Sequence, residues 1–214
     1  MPFLGLFIAV VCLFTFFRKR SNRSQENVTD RFWKRESIAN NTRLQDLSGL
    51  PYITIPFDKF PIGKDLEFNK ELDDLLKNYE NTLQTLSGQK IVNFGTQTNT
   101  DLKLTYGTAS LPALTEYEQN FTTLCQTLTA YAGQLFELGH TDDARTILEY
   151  GISIGSDLSQ NYLLLAKIYQ SSGETGRIRE LLASAEQLDS LMKRSIVEKL
   201  TAMLPEDTAN TPVQ

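Results

Sequence analysis

The sequence predicts an all-α protein: an N-terminal transmembrane helix, then stacked helix-turn-helix units with a short extended or hairpin insertion. Three observations predict it. Thirty-four residues after Leu128, Ala132, Leu135, Gly139, Leu148 and Gly151 stand Tyr162, Ala166, Tyr169, Gly173, Leu182 and Ala185, each of matching size or character. A period of that length, with large and small residues alternating before a turn glycine, is the footprint of a unit that stacks on its own copy. Apolar residues also recur three and four apart through most of the chain from Leu66 to Leu204, the spacing of a buried helical stripe. The third observation is a charge-free run from Pro2 to Phe17.

That run holds Phe3, Phe7, Phe14, Phe16 and Phe17 among leucine, valine and isoleucine. As a helix it reaches about 24 Å at roughly 1.5 Å per residue, short of the ~30 Å hydrocarbon core but within what thinning and snorkelling accommodate. A secretory signal needs a basic start and a small-residue cleavage site. Here the basic residues Arg18, Lys19, Arg20 and Arg23 follow the run, and no small-x-small triplet ends it. A lipoprotein signal fails too, because Val11 precedes Cys12. The expectation is an uncleaved single-pass anchor over residues 1–17. Its positive flank places the body in the cytoplasm, since Lys and Arg beside a span stay on that side. An exported envelope protein with the opposite orientation is the alternative, and only then would the sequons at Asn22, Asn27, Asn40 and Asn120 matter.

Charge is unevenly spread. From Arg18 to Arg43 eight Lys or Arg face three Asp or Glu, a net of +5, so with a chain total of −5 the remainder carries −10. An acidic body on a basic neck argues against nucleic acid as partner, which wants a basic face on the folded part. It suits a membrane surface. Within the neck and arm (residues 18–64), Arg31–Arg43 intersperses Phe32, Trp33 and Ile38 with charges, the pattern of a short amphipathic helix. Trp33 rests at the membrane interface with Arg18, Lys19, Arg20 and Arg23, or else packs with Phe32 on the globular body. Pro51–Phe57 is aromatic, β-branched and fenced by prolines, hence an edge strand or a docked extended arm.

Residues 65–110 begin with a helix whose stripe is Leu66, Leu72, Leu75, Leu76, Tyr79, Leu83 and Leu86, stopped at Ser87-Gly88. The apolar stretches Ile91–Phe94 and Leu102–Tyr106, with threonines between, predict a small hairpin or an ordered loop. From 111 to 204 the pattern is helical throughout. Ser110 is the expected cap, with Pro112 in the first turn. Leu114 through Leu138 make one long helix or two joined by a bend. Gly139 ends it, and Thr141-Asp142-Asp143 restarts the chain with a cap and acidic first-turn residues. Further helices carry Ile147 to Ile154, Tyr162 to Tyr169 and Ile178 to Leu188. Lys193–Leu204 closes the stack before a polar tail, residues 205–214, expected to be disordered.

On these residues the region Cys125–Met192 resembles two tetratricopeptide repeats. In that family the first helix carries a bulky residue, a small one and another bulky one, and the second helix a small residue at the crossing. Leu128, Ala132, Leu135 and Ala144 match in the first unit, and Tyr162, Ala166 and Tyr169 in the second, where Ile178 departs from the small residue. Ser156 and Ser190 stand where the family has a closing proline. Two units fall short of the usual minimum of about three, so neighbouring helices must complete the stack. The whole chain, with its anchor, Phe32-Trp33 neck, Tyr52–Pro56 arm and Asn99–Gly107 stretch, also resembles uncharacterised membrane-anchored proteins of anaerobic Gram-positive bacteria. That likeness implies an address and no activity.

The repeat resemblance implies a partner groove along the first helix of each unit: Gln126, Thr129, Ala130, Gly133, Phe136 and Glu137, then Gln160, Leu163, Leu164, Lys167 and Gln170. Mixed apolar and amide character suits an amphipathic helix or an extended peptide, unless the neck or arm (residues 31–64) fills it in cis. The Lys and Asn clamp of chaperone-binding relatives is missing. No G-x-x-x-x-G-K-[ST], G-x-S-x-G or H-E-x-x-H occurs, and one histidine with two distant cysteines makes no zinc set. The expectation is therefore a tethered scaffold for a protein partner, neither enzyme nor cofactor carrier.

Overall fold

The structure, a computed structural model, describes residue 14 and residues 28–63 and 70–204. In chain order its helices are α1 (28–40), α2 (Lys70–Ser87), α3 (Asn99–Tyr106), α4 (Leu111–Glu137), α5 (Thr141–Ser153), α6 (Ser159–Ser171), α7 (Thr175–Glu186) and α8 (Lys193–Ala202). No strand occurs among the described residues, and the fold is all-α. No described helix is long and apolar enough to cross a membrane. The expected anchor over 1–17, the cations Arg18, Lys19, Arg20 and Arg23, and the tail 205–214 lie outside the described residues, Phe14 apart.

The described residues fall into two compact units. Unit 1 unites the segment up to Leu47 with Thr98–Pro112, and unit 2 takes Ser48–Gln97 and everything from Ala113 on. In unit 1, α1 and α3 are joined by charge. Arg35 pairs with Asp101 and Lys103 with Glu36, while the Thr100 hydroxyl donates to Glu36 (2.8 Å) and Lys103 to Asn40 (3.1 Å). The bond from Lys103, with Thr100 behind it, holds the Glu36 carboxyl below its usual range.

Here one expectation is corrected. Leu102–Tyr106 is a helix and not the second arm of a hairpin. Thr98 accepts from the Asp101 amide (3.3 Å) while the Asp101 carboxylate accepts from the Thr98 amide (2.9 Å), a capping box that satisfies two orphan donors. The Thr98 hydroxyl, which also donates to the Asp101 carboxylate (2.6 Å), and after it the Thr98 amide hold that carboxyl below its usual range. The helix stops at Gly107, whose φ of 85° and ψ of 150° suit glycine alone. A Cβ there would sit 2.5 Å from the Arg43 carbonyl oxygen.

Unit 2 is built on α4, one unbroken helix of 27 residues. The ends of α4 and α6 share one turn geometry. Gly139 (φ 85°) and Gly173 (φ 73°) take the left-handed conformation after α4 and α6, and the next amides reach back five residues, His140 to Leu135 (2.9 Å) and Glu174 to Tyr169 (2.8 Å). These are Schellman turns, which satisfy carbonyls the helix end would orphan. The cap of α5 falls on His140, which makes no side-chain capping bond, and Thr141 is the first helical residue. Ser110, expected to cap α4, instead donates its hydroxyl to the Tyr106 carbonyl (2.8 Å).

Successive helices α5, α6, α7 and α8 pack on one another, and α8 also packs on α6. Ala132, Ala166, Ala144 and Ala185 are wholly buried, as close helix approach requires. The core runs on past these helices: Ile55 and Phe60 of the arm, Leu76, Leu83 and Leu86 of α2, and Ile91 join the same cluster as Leu128, Tyr131 and Leu135. The arm is extended and docked, with no ladder. Ile53 donates to the Ile91 carbonyl (2.9 Å), the Tyr150 hydroxyl donates to the Thr54 carbonyl (3.0 Å), and Phe60 meets Tyr150 edge to face at 5.5 Å. Lys90 lies over the rings of Tyr52 (5.2 Å) and Tyr117 (5.6 Å), fastening the arm to α4 through cation–π attraction.

Candidate partner groove

Helical spacing places Gly133, Phe136 and Glu137 on one face of α4, and Gln160, Leu163, Leu164 and Lys167 on one face of α6. The two faces meet in a cleft of about 490 Å³, lined by these seven residues together with Ser159 and Lys199. Its apolar part is made by Phe136, Leu163 and Leu164, all partly buried against the core. Gly133 keeps the wall low: a Cβ on it would lie 3.9 Å from Leu164. Lys167 stands over the Phe136 ring at 5.2 Å, which orients its ammonium at the rim. No residue of the arm between 48 and 63 lines this cleft.

A neighbouring cleft of about 340 Å³ gathers Gln126, Thr129, Ala130, Leu158, Ser159 and Gln160. Thr129, expected to face a partner, is buried. Its hydroxyl lies 2.8 Å from the Cys125 carbonyl and 3.3 Å from the Asn161 side-chain oxygen. Gln170 is exposed but lines neither cleft. Two contributors to the first cleft escaped sequence reasoning, and Leu158 of the second did so too. Lys199 belongs to α8, where Ile196 and Leu200 mark the buried face and leave residue 199 at its edge. Ser159 opens α6 with its hydroxyl oxygen buried and without a hydrogen-bond partner, a cost of about 1–3 kcal/mol unless something meets it.

No family model, curated protein or solved structure matches this chain. The groove must therefore be read from its own chemistry.

The densest polar cluster lies elsewhere in unit 2 and is closed on itself. Glu149 accepts from the Tyr169 hydroxyl (2.7 Å), Arg145 (2.9 Å) and Arg177 (3.2 Å), and Arg145 forks onto Glu174 at 2.7 and 3.2 Å. Both guanidinium groups stack over the Tyr169 ring, at 5.0 and 5.4 Å. These contacts tie α5, α6 and α7 together and spend the donors on one another, so the cluster is a clamp. Burial pushes the Glu149 carboxyl upward, but the bonds from Tyr169, Arg145 and Arg177 outweigh it and hold the group below its ordinary 4.5. Its contribution to stability is thus present above that value and lost as pH falls through the depressed folded value. Glu149→Gln is expected to lower the melting temperature at pH 6 and to flatten its decline between pH 5 and pH 3. A parallel decline in both proteins would show that the clamp does not titrate.

No group of three or more His, Cys, Asp or Glu side chains is arranged to hold a metal among the described residues. Burial raises the Cys125 thiol to about 12, which removes it as a nucleophile at neutral pH. His140 sits in the turn before α5, its Nδ1 3.7 Å from Asp143.

Proposed function

We propose that this protein is a membrane-tethered helical-repeat scaffold whose α4–α6 groove receives a protein partner at the cytoplasmic face. The observation that carries the reading is the groove: an open cleft with Phe136, Leu163 and Leu164 as its apolar part and Lys167 and Lys199 at its edge. An amphipathic helix or extended segment fits such a surface, its apolar residues in the cleft and its polar edge toward the lysines. The helix pairs at thirty-four-residue spacing, with Schellman turns at equivalent glycines, support stacking of the tetratricopeptide kind, with α2 and the arm standing in for a further unit. The tether follows from the charge-free run 2–17 and the cations behind it.

The test uses the full chain in membranes, with a photocrosslinking residue at Gln160 and the double substitution Phe136→Glu plus Leu163→Glu. Both side chains are only half-buried, so the variant is expected to lose on the order of 1 kcal/mol of stability while losing the crosslinked partner altogether. Partners that persist unchanged in the folded variant rule out the groove. Protease added to intact cells is expected to spare the body; digestion would place it outside and favour an envelope component.

A further inference from the structure

Among the described residues, exposed large apolar side chains concentrate in unit 1. Val28, Phe32, Trp33, Ile38 and Leu44 are 52–66% exposed, whereas unit 2 exposes only Leu191 and Met192 in this way. Their placement follows from how α1 is held. Arg35, Glu36, Ala39 and Asn40, in its second half, bond to the Thr98–Pro112 segment. The turns before that carry Val28, Phe32 and Trp33, and the last two touch each other edge to face at 5.4 Å. A solvated helix has no use for such a pair, and contiguous exposed apolar surface marks an interaction site.

The covering surface is indicated by what precedes α1. Arg18, Lys19, Arg20 and Arg23 stand within about ten residues of Val28, and the charge-free run 2–17 stands directly before them. Basic residues beside aromatic ones suit the zone where acyl chains meet anionic headgroups. The ten positions from Arg18 to Asn27 reach at most about 35 Å, ample to bring α1 back to the surface the run occupies. We infer that the first half of α1 docks on an anionic lipid surface, with Phe32 and Trp33 at the headgroup boundary, giving the protein a second membrane contact beside its anchor. The inference rests on the tethered half of the proposed function and is independent of the groove.

Trp33 is the single tryptophan of the chain, so intrinsic fluorescence reports on this site alone. The full chain is incorporated into phosphatidylcholine vesicles with and without phosphatidylglycerol, using lipids brominated near the headgroup or deep in the acyl chains. A blue-shifted emission quenched by shallow bromines, and more strongly in the anionic vesicles, is expected. Chain that floats with the vesicles while Trp33 keeps its aqueous emission overturns the inference and leaves the anchor standing. A blue shift that grows with protein concentration without lipid assigns the patch to a second copy and also overturns it. In a full-length variant with the run broken by Val10→Lys plus Leu13→Lys, Trp33 is still expected to bind anionic vesicles, and each of Arg23→Gln and Lys34→Gln weakens that binding roughly fivefold. Failure of the intact chain to float with pure phosphatidylcholine vesicles refutes the anchor; lipid-quenched Trp33 in the broken-run variant on anionic vesicles upholds the α1 contact even then.

Discussion

Gly107→Ala is expected to unfold the pairing of α1 with α3, costing unit 1 about 3 kcal/mol or more. Two penalties coincide there. The backbone at φ 85° and ψ 150° lies in a region that residues with a Cβ avoid. The added carbon would also lie 2.5 Å from the Arg43 carbonyl oxygen, 2.7 Å from its carbon and 2.9 Å from the Leu44 Cα. These are backbone atoms and cannot rotate aside, so the segment that the Tyr106 carbonyl holds through the Gln45 amide (3.0 Å) has to move. Gly173→Ala is the control. Its φ of 73° carries the left-handed penalty, but a Cβ there meets nothing within 4 Å, so roughly 1–2 kcal/mol is expected. Amide exchange distinguishes them: Gly107→Ala accelerates exchange at Gln45 and residue 107, while Gly173→Ala leaves both protected. Equal protection in the two variants would refute the close approach.

The second large effect concerns a buried amide. Asn161 is fully buried on α6, its side-chain nitrogen donating to the Leu148 carbonyl of α5 (3.2 Å) and its oxygen facing the Thr129 hydroxyl of α4 (3.3 Å). It bridges three helices at the point where Gly151 lets α5 approach. A Cβ on Gly151 would stand 3.1 Å from the Asn161 oxygen and 3.2 Å from its nitrogen. Asn161→Ala is expected to cost about 2–3 kcal/mol, combining lost hydrogen bonds with a cavity. Gly151→Ala gains about 1 kcal/mol of helix propensity yet displaces the amide, and the net expectation is destabilisation. Combined, the new methyl enters space the amide vacated, and the double variant is expected to be more stable than the sum of the two by about 1 kcal/mol or more. Urea unfolding in a double-mutant cycle reads this; additivity within about 0.5 kcal/mol would mean the two residues do not share the site. One period later the chain carries Ala185 and Ser195, so the glycine gives way where the asparagine does.

How far the fold was legible depends on the scale of the signal. The helices from α4 to α7 were legible because close packing and tight turns constrain residue size, and Ala132, Ala166 and the glycines at 139 and 173 register those constraints directly. The α3 helix was not, because the threonines and the tyrosine in Asn99–Tyr106 carry strand-like preferences. Three hydrogen bonds between Thr98 and Asp101 decided against them. Of the groove residues that the repeat resemblance implied, Gly133, Phe136, Leu163, Leu164 and Lys167 line one cleft between α4 and α6. Periodicity cannot reveal that Thr129 is turned to a buried amide or that α8 brings Lys199 alongside, since both depend on contacts between distant elements.

The arm and α2 alter how unit 2 must fold. In a solenoid each unit touches only its neighbours in sequence, so order spreads locally and repeats are gained or lost piecemeal. Here the Tyr150 hydroxyl reaches Thr54 across 96 positions and the Tyr131 hydroxyl reaches Glu80 across 51. Such separations raise contact order, and loop-closure entropy must be met before the core is rewarded. Unit 2 is thus expected to fold cooperatively and more slowly than a chain of local helix pairs, because Ile55 and Phe60 of the arm belong to the same core as Leu128, Tyr131 and Leu135 and that core is incomplete until the arm has docked.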